Sequence, residues 1–393
     1  MIKTWRWFGK NDPITLPMLR QIGVEGIVTS LYHISPGKVW ERSEIQDLKS
    51  HIEKEGLKWS VVESVPVVES IKYGGEGRDE LIENFRQTLI HLGEMDIKTV
   101  CYNFMPVIDW IRTDLYKLLP DGTQTLFFDK IRFAYFDCKI LNRENARNDY
   151  TEEELRKVNE LDKTITDEEK NDLIYTIIIK TQGFISRQIA GEGQDPVQAF
   201  NSLLKLYDKI DKNQLRKNLI YFLERIIPTA EKYNIKMSIH PDDPPYQVFG
   251  LPRIVTNEAD IEWLFNEIRS ESNGLTFCAG SLSSGIHNDV VSMARKFANR
   301  TYFAHLRSTD VLQNGDFIEA SHLEGRGNLV ELIRIFEKEN SSIPMRVDHG
   351  KLMLEDVNKS YNPGYSFLGR MFALAQVEGM MAVVRNEVET KKY

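Results

Sequence analysis

Cysteine is scarce in this sequence. Only Cys101, Cys138 and Cys278 occur among 393 residues, too few for a disulfide framework in so long a chain, so we expect a reducing, cytoplasmic location. Long apolar runs are also missing. The most apolar stretch that we identify, residues 173–179, meets Lys180 well short of the roughly 20 residues that cross a bilayer. The start of the chain lacks the apolar segment of a signal peptide.

Positive charge is not in excess either. Lys and Arg total 50 against 58 Asp and Glu, which gives a formal charge of −8. Because proteins that bind nucleic acid neutralise phosphates with basic side chains, we expect no nucleic-acid partner, and no membrane partner. Hydrophobic residues make up 41% and charged residues 27% of the chain. This ordinary globular composition excludes a fibrous repeat and a wholly disordered chain.

Short β-rich runs alternate with helical patterns along most of the chain. The alternation predicts eight strands, at residues 5–8, 26–31, 58–63, 98–103, 236–240, 275–278, 301–305 and 344–348. Eight strands separated by roughly eight helices are typical of a (β/α)8 barrel of the α/β class, which is our predicted fold. An open, doubly wound sheet is the alternative, but no Gly-x-Gly-x-x-Gly follows the first strand.

The alternation breaks between about residues 105 and 201, where the pattern is helical and highly charged. Thr151 and Thr166, each followed by acidic residues, predict helix starts there. We interpret this segment as a helical insertion after strand 4 of a single barrel domain covering residues 1–393. It is a candidate lid or subunit contact, and we expect a homodimer. Elsewhere, Ser43 is the predicted N-cap of a helix at residues 40–55.

The last four predicted strands end on residue types that bind divalent metals: His240, Cys278, His305 and Asp348. The carboxyl ends of the strands in a parallel barrel face one mouth, so residues far apart in sequence meet there. Each residue alone has an ordinary structural explanation, but four on consecutive strands predict a metal site. By ligand softness the set suits Zn or Fe(II), and Mn(II) also accepts imidazole. Room for a substrate favours a metal with five or six ligands.

Five further residues fall near the predicted mouth. Strand alternation places Arg307 on the side of the ligands, where it can pair with a substrate carboxylate. His349 directly follows a predicted ligand and is a candidate acid or base. Tyr365, in the loop after the last strand, either protonates a departing hydroxyl or anchors that loop. Asn103 is a candidate partner for substrate hydroxyls, and Arg6 a candidate contact for a sugar chain.

Two loop segments carry weaker signals. The turn after His240 contains Asp242 and Asp243, which are candidate hydrogen-bond partners for the metal ligands. Residues 322–328 include Gly325 and Gly327, which permit the close approach of a substrate or of backbone. A phosphate-binding turn is the alternative there, but an isolated glycine-rich turn is weak evidence for one.

At these residues the chain resembles the mannonate dehydratase family, a branch of the xylose-isomerase-like metal-dependent barrels. The resemblance covers almost the whole chain, and it rests on Trp-Arg-Trp-Phe-Gly at residues 5–9, Ser-Ile-His-Pro-Asp-Asp-Pro-Pro at 238–245, Phe-Cys-Ala-Gly-Ser at 277–281, His-Leu-Arg at 305–307, Val-Asp-His-Gly at 347–350 and Asn-Pro-Gly-Tyr at 362–365. It implies dehydration of D-mannonate to 2-dehydro-3-deoxy-D-gluconate, in hexuronate catabolism, with Mn(II) or Fe(II). It implies that the four strand-end residues hold the metal and that His349 and Tyr365 are catalytic.

The chemistry explains why such residues are needed. A proton next to a carboxylate is a very weak acid, and a metal bound to that carboxylate and the adjacent hydroxyl stabilises the enediolate that forms. A base removes the C2 proton, and an acid assists loss of the C3 hydroxyl. His349 and Tyr365 divide these two tasks in an order that the sequence leaves open.

Three other functions compete with dehydration. The strongest is a sugar or sugar-acid isomerase or epimerase on the same barrel, which would polarise a carbonyl and a hydroxyl with its metal. An endonuclease for abasic DNA would need several metals and a basic groove, which the charge of −8 disfavours. A binding barrel with a purely structural metal would not need the acid and base residues.

Overall fold

The computed structural model describes residues 1–183 and 195–390. Its strands are β1 (Ile2–Arg6), β2 (Gly26–Thr29), β3 (Lys58–Glu63), β4 (Thr99–Tyr102), β5 (Asp114–Leu118), β6 (Gln124–Phe128), β7 (Lys236–Ile239), β8 (Asn273–Cys278), β9 (Thr301–Leu306), β10 (Thr309–Val311), β11 (Phe317–Glu319) and β12 (Pro344–Val347).

The helices alternate with these strands. They are α1 (Leu16–Gln21), α2 (Arg42–Lys54), α3 (Glu69–Tyr73), α4 (Arg78–Glu94), α5 (Lys130–Tyr135), α6 (Glu152–Leu161), α7 (Asp167–Ile174), α8 (Thr181–Gly183), α9 (Pro196–Lys205), α10 (Lys212–Lys232), α11 (Glu258–Glu267), α12 (Ala279–Ser283), α13 (Val290–Phe297), α14 (Leu329–Asn340) and α15 (Phe367–Thr390). Short π-helical segments, Phe136–Ile140 and Tyr175–Lys180, extend α5 and α7.

Eight parallel strands close into a barrel in the order β1-β12-β9-β8-β7-β4-β3-β2. All eight correspond to predicted strands, so the (β/α)8 barrel is confirmed. The strands were recognisable because helices cover the outside of such a barrel and side chains fill its inside, which makes each strand apolar on both faces. Every residue of β2 and of β8 is buried, for example.

Helix starts were predicted with mixed success. Thr151 and Thr166 are N-caps, and each forms a complete capping box with the glutamate three residues later, as the rule for such sequences requires. The prediction for Ser43 was wrong, because the N-cap of α2 is Glu41 and its side chain makes no capping hydrogen bond. Ser43 lies inside the first turn of that helix.

The insertion, predicted to be mainly helical, also contains strands. It contains β5 and β6, which pair with β10 and β11 in an antiparallel sheet of order β10-β11-β6-β5, here called the mouth sheet. Asp121-Gly122 and Asn314-Gly315 connect its two hairpins, and both glycines have positive φ. Such dipeptides between apolar runs are strong hairpin signals. Residues 184–194 of the insertion lie outside the described residues, and the assignment of the chain to a single domain stays a prediction.

The last helix, α15, contains a longer apolar stretch than residues 173–179, which the sequence pattern singled out. Within the described residues, Phe367–Glu387 is long and apolar enough, by length and composition alone, to cross a membrane. Its residues Leu374, Val377 and Met381 are buried, and the helix packs against α14 and β12. The apolar face is therefore the one that completes the outer layer of the barrel.

Candidate active site

The carboxyl ends of the barrel strands and the segments around the mouth sheet enclose one small polar cavity. Seven of the nine predicted site residues line this cavity, and the other two, Cys278 and His305, contact residues that line it. The cavity is lined by Arg6, Glu63, Ser64, Asn103, Asp109, Trp110, His240, Asp243, Arg307, Arg346, Asp348, His349 and Tyr365.

Three of the four predicted metal ligands meet at the cavity. One ligand atom from each of His240, Cys278 and His305 lies within 4.8 Å of the other two. Nδ1 of His240 contacts the Pro241 carbonyl at 2.7 Å, which leaves its Nε2 for a metal, as in most metal-binding histidines. Nε2 of His305 is buried and has no hydrogen-bond partner among the described residues. Each imidazole thus has one ring nitrogen that could bind a metal, and the roles of both as ligands stay predictions.

The pKa shifts of two of these three groups favour the form that binds a metal. Burial opposes a charge on Cys278, but Arg307 and His240 outweigh it and lower the pKa of the thiol. Burial and Arg346 hold the pKa of His305 well below its ordinary value. Burial likewise opposes a charge on His240, yet the Cys278 thiolate raises its pKa to about 9, so this proton must leave before His240 can bind a metal. Thiolate and neutral imidazole are the metal-binding forms.

Asp348, the fourth predicted ligand, lies beside this group but not within it. Its Oδ2 is 3.8 Å from Nδ1 of His305. Arg307 Nε donates to the same oxygen at 2.9 Å, Arg346 Nη1 donates to Oδ1, and the Tyr365 hydroxyl donates to Oδ1 at 3.3 Å. Burial opposes the charge, but Arg346 holds the pKa of this carboxyl well below its usual range. Asp348 as a metal ligand stays a prediction.

Arg307 lies in the cavity, but its donors are occupied by carboxylates of the protein. Besides Asp348, it donates from Nη1 to Glu319 at 2.6 Å and from Nη2 to Asp243. The side chain of Arg307 has room because residue 280 is a glycine. A Cβ at Gly280 would come within 2.4 Å of Arg307 Cγ. Its role toward a substrate carboxylate stays a prediction, while its contacts show that it positions three acidic side chains.

Two buried carboxylates at or beside the cavity, each paired with arginines, were missed. Glu63, the last residue of β3, accepts from Arg6 Nη1 at 2.9 Å and from Arg346 Nη2 at 2.9 Å. Glu319 of the mouth sheet accepts from Arg112 Nη2 at 2.7 Å. The strand-end rule that selected the metal ligands could have found Glu63, since the predicted strand ends on it. No local signal indicated the arginine partners.

His349 and Tyr365 lie next to each other, with their rings perpendicular and 5.4 Å apart. Nδ1 of His349 is 3.1 Å from Oε1 of Glu319. Burial opposes the charge on Glu319, but Arg307 lowers its pKa to about 2, so this carboxylate can only accept. The proton of a neutral His349 therefore lies on Nδ1, and Nε2 is left as a base.

The loop that carries Tyr365 depends on a glycine. Gly364 has a φ of +80° and lies so close to His349 that a Cβ there would come within 2.9 Å of the ring. Burial, and secondly the negative charge of Asp348, raise the pKa of Tyr365 to about 12. Its hydroxyl is therefore protonated at neutral pH and is a hydrogen donor.

The structure also shows the contacts of the remaining predicted residues. Asn103 directly follows β4 and lines the cavity. Asp243 accepts from Arg112 at 3.0 Å, whereas Asp242 accepts from the backbone amides of residues 254 and 255 and supports a loop. Gly327 donates its amide to the Ser308 hydroxyl at 2.9 Å, and the Arg326 amide donates to the Thr309 carbonyl at 2.9 Å. The close approach predicted for residues 322–328 is therefore to another segment of the chain.

A closed parallel barrel with two imidazoles and a thiol together at its strand ends, next to an oriented histidine and a protonated tyrosine, defines the class of protein. It is a metal-dependent barrel enzyme for a small polar substrate. The sequence model of the family D-mannonate dehydratase (UxuA) matches residues 1–391. The chain therefore belongs to the D-mannonate dehydratase family, as its resemblance implied.

Individual relatives agree with this assignment. A mannonate dehydratase from Marinomonas sp. (strain MWYL1) is 44% identical over 390 residues, which cover 97% of this chain and 98% of the relative. One from Saccharophagus degradans is 42% identical over 392 residues, with 97% of each chain covered. The crystal structure of mannonate dehydratase from Streptococcus suis serotype 2 superposes with a TM-score of 0.80 at 33% identity, covering 99% of this chain and 96% of that one.

More distant structures share the fold alone. A D-tagatose 3-epimerase-like protein superposes with a TM-score of 0.52 at 10% identity, covering 99% of this chain and all of the other. This similarity shows the barrel and says nothing of the reaction. The family match thus favours a hydro-lyase over the epimerase that the sequence left as the main alternative.

Proposed function

We propose that this chain removes water from D-mannonate to give 2-dehydro-3-deoxy-D-gluconate, with Mn(II) or Fe(II) as cofactor. The family match supports the reaction, and the group formed by His240, Cys278 and His305 supports the metal. Two imidazoles and a thiolate bind Fe(II) readily, and Mn(II) accepts imidazole. With Asp348 as fourth ligand, a metal of five or six coordination keeps positions for the substrate.

The bound metal supplies a Lewis acid for the substrate carboxylate and its neighbouring hydroxyl, which makes the C2 proton more acidic. The chain's arginines keep two acidic side chains of the cavity in place. Arg307 and Arg346 hold Asp348, and Arg6 holds Glu63. Arg6, Arg307 and Asn103 line the cavity, and we assign them to substrate binding.

His349 is the proposed base for the C2 proton. Glu319 fixes the ring through Nδ1 and so presents Nε2 to the cavity. The acidic member of a catalytic triad orients the histidine base in the same way. Glu319 is itself held by Arg112 and Arg307. Its negative charge also stabilises the imidazolium that forms when Nε2 takes the proton.

Tyr365 is the proposed acid for the C3 hydroxyl. A phenol whose pKa is raised to about 12 keeps its proton at neutral pH, so it can donate to a leaving hydroxyl but cannot serve as the resting base. The alternative role, anchoring the loop, would use the same hydroxyl for structure only.

We expect Tyr365→Phe to lower kcat about 100-fold, because general acid assistance typically contributes that much or more. KM should change little, since the ring and its packing remain. Steady-state kinetics with D-mannonate measures both. A variant with wild-type kcat would leave Tyr365 only the role of a loop anchor.

Product analysis separates this function from its main alternative. A dehydratase converts D-mannonate into a 2-keto-3-deoxy acid, which is 18 Da lighter than the substrate as expected for loss of one water, whereas an isomerase or epimerase conserves mass. We expect only the lighter product by mass spectrometry with Mn(II) present. A product of unchanged mass would favour the isomerase.

Other parts of the assignment are proposals of the same kind. We place the enzyme in the cytoplasm, on the basis of three cysteines that are all free, and in hexuronate catabolism, where the family's reaction belongs. We propose a homodimer with no nucleic-acid or membrane partner, and a single barrel domain with the insertion as part of it. Sedimentation at micromolar concentration tests the dimer.

A further inference from the structure

One carboxylate in the cavity differs from all its neighbours. Glu63, Asp243 and Asp348 each accept a hydrogen bond from an arginine. Asp109 lines the same cavity, yet it forms no ion pair with any described residue. The amide of Asn103 is its hydrogen-bond partner, and burial raises its pKa despite the nearby charge of Lys72.

The backbone leading to Asp109 is strained. Val107 has a φ of +59°, and the amide of Ile108 donates to the carbonyl of Pro106 at 2.6 Å, which closes a tight three-residue turn. A β-branched residue at positive φ is a genuine outlier. Such strain costs free energy and persists only where the surrounding structure enforces it, often next to a ligand.

Buried side chains enforce this turn from both sides. Oε2 of Glu69 accepts from the Val107 amide at 3.0 Å. Its ion-pair partner Lys72 donates to the Met105 carbonyl at 2.8 Å. Arg253 Nη1 donates to the Ile108 carbonyl at 3.1 Å. The position of Asp109 is therefore fixed through its backbone, while its carboxylate forms no ion pair within the described part of the chain.

We propose that Asp109, together with Asn103, binds the hydroxyl tail of the sugar acid and excludes acids that carry a second carboxylate at that end. This inference rests on the proposed function. A carboxylate accepts hydrogen bonds from several hydroxyls and repels another carboxylate. The carboxylate of the substrate must then lie on the side of the arginines and metal ligands. C2 and C3 face His349 and Tyr365, which leaves the hydroxyls at C4–C6 for Asp109.

The test compares two substrates that differ only at C6. D-mannonate carries a hydroxyl there and D-mannarate a carboxylate. For Asp109→Asn with Mn(II), we expect kcat/KM for D-mannonate to fall about 10- to 100-fold, mainly through KM, because a charged hydrogen bond is lost. We expect the ratio of kcat/KM for D-mannarate to that for D-mannonate to rise at least about 10-fold, because the repulsion is removed.

Asp310→Asn is the matched control. Asp310 is exposed and lies in the mouth sheet outside the cavity, so this variant should keep the wild-type ratio. Circular dichroism checks that both variants fold. A wild-type ratio in a folded Asp109→Asn variant overturns the role of Asp109 and leaves the dehydratase intact. A wild-type enzyme that forms no keto acid from D-mannonate overturns the proposed function, and this inference with it.

Discussion

Replacing His349 with glutamine should reduce the turnover of D-mannonate about 1,000-fold, with metal binding unchanged. General bases of this type contribute about 100- to 10,000-fold. Glutamine keeps the size of the side chain and can still contact Glu319, which lies 3.1 Å from the imidazole, but it cannot take up a proton at neutral pH. The loss should therefore fall on kcat. Steady-state kinetics with Mn(II) measures it.

Metal content must be measured on the same His349→Gln protein. Because Asp348 precedes His349 and its Oδ1 lies 3.8 Å from Nε2 of that ring, a displaced ligand would also reduce turnover. Elemental analysis that gives the wild-type metal content assigns the loss to proton transfer. Normal metal content with wild-type turnover would contradict the role of His349 as base.

Replacing Cys278 with serine should weaken metal binding by about two orders of magnitude or more. The thiolate is the softest ligand of the group, and serine does not ionise at neutral pH to replace it. Arg307, which lowers the pKa of the thiol, would then face a neutral hydroxyl. We expect the purified variant to hold little metal and to show activity only at high added Mn(II).

Cys138→Ser provides the matched control. Cys138 is half-buried in the insertion and lies outside the metal group. This variant should bind Mn(II) and turn over D-mannonate as the wild type does. A Cys278→Ser protein that retains metal as tightly as this control would show that the thiolate is not a ligand.

The barrel, and the residues that meet in the candidate site, could be predicted because each depended on a local pattern. Strand ends are visible in a sequence, and in a parallel barrel they all face one mouth. His240, Cys278 and His305 were found in this way, and the structure brings them together. No further sequence signal was needed to predict that they lie close together, because the barrel places all strand ends at one mouth.

What the sequence did not reveal depends on contacts between distant segments. Glu63 and Arg346 are 283 residues apart, and nothing in either segment indicates the other. Glu319 was missed because β11 has only three residues, although Asn314-Gly315 before it is a typical hairpin turn. The sequence also could not show that the donors of Arg307 bind carboxylates of the protein. An arginine after a barrel strand gives the same sequence pattern whether it contacts a substrate or other side chains.

The most direct test of the central claim is to strip the enzyme of metal and assay it with D-mannonate, with and without added Mn(II), for a 2-keto-3-deoxy acid. We predict no product from the stripped enzyme and full recovery with Mn(II), because the proposed ligands have no catalytic role of their own. Full activity in folded, metal-free protein, or no product with any divalent metal, would contradict the account.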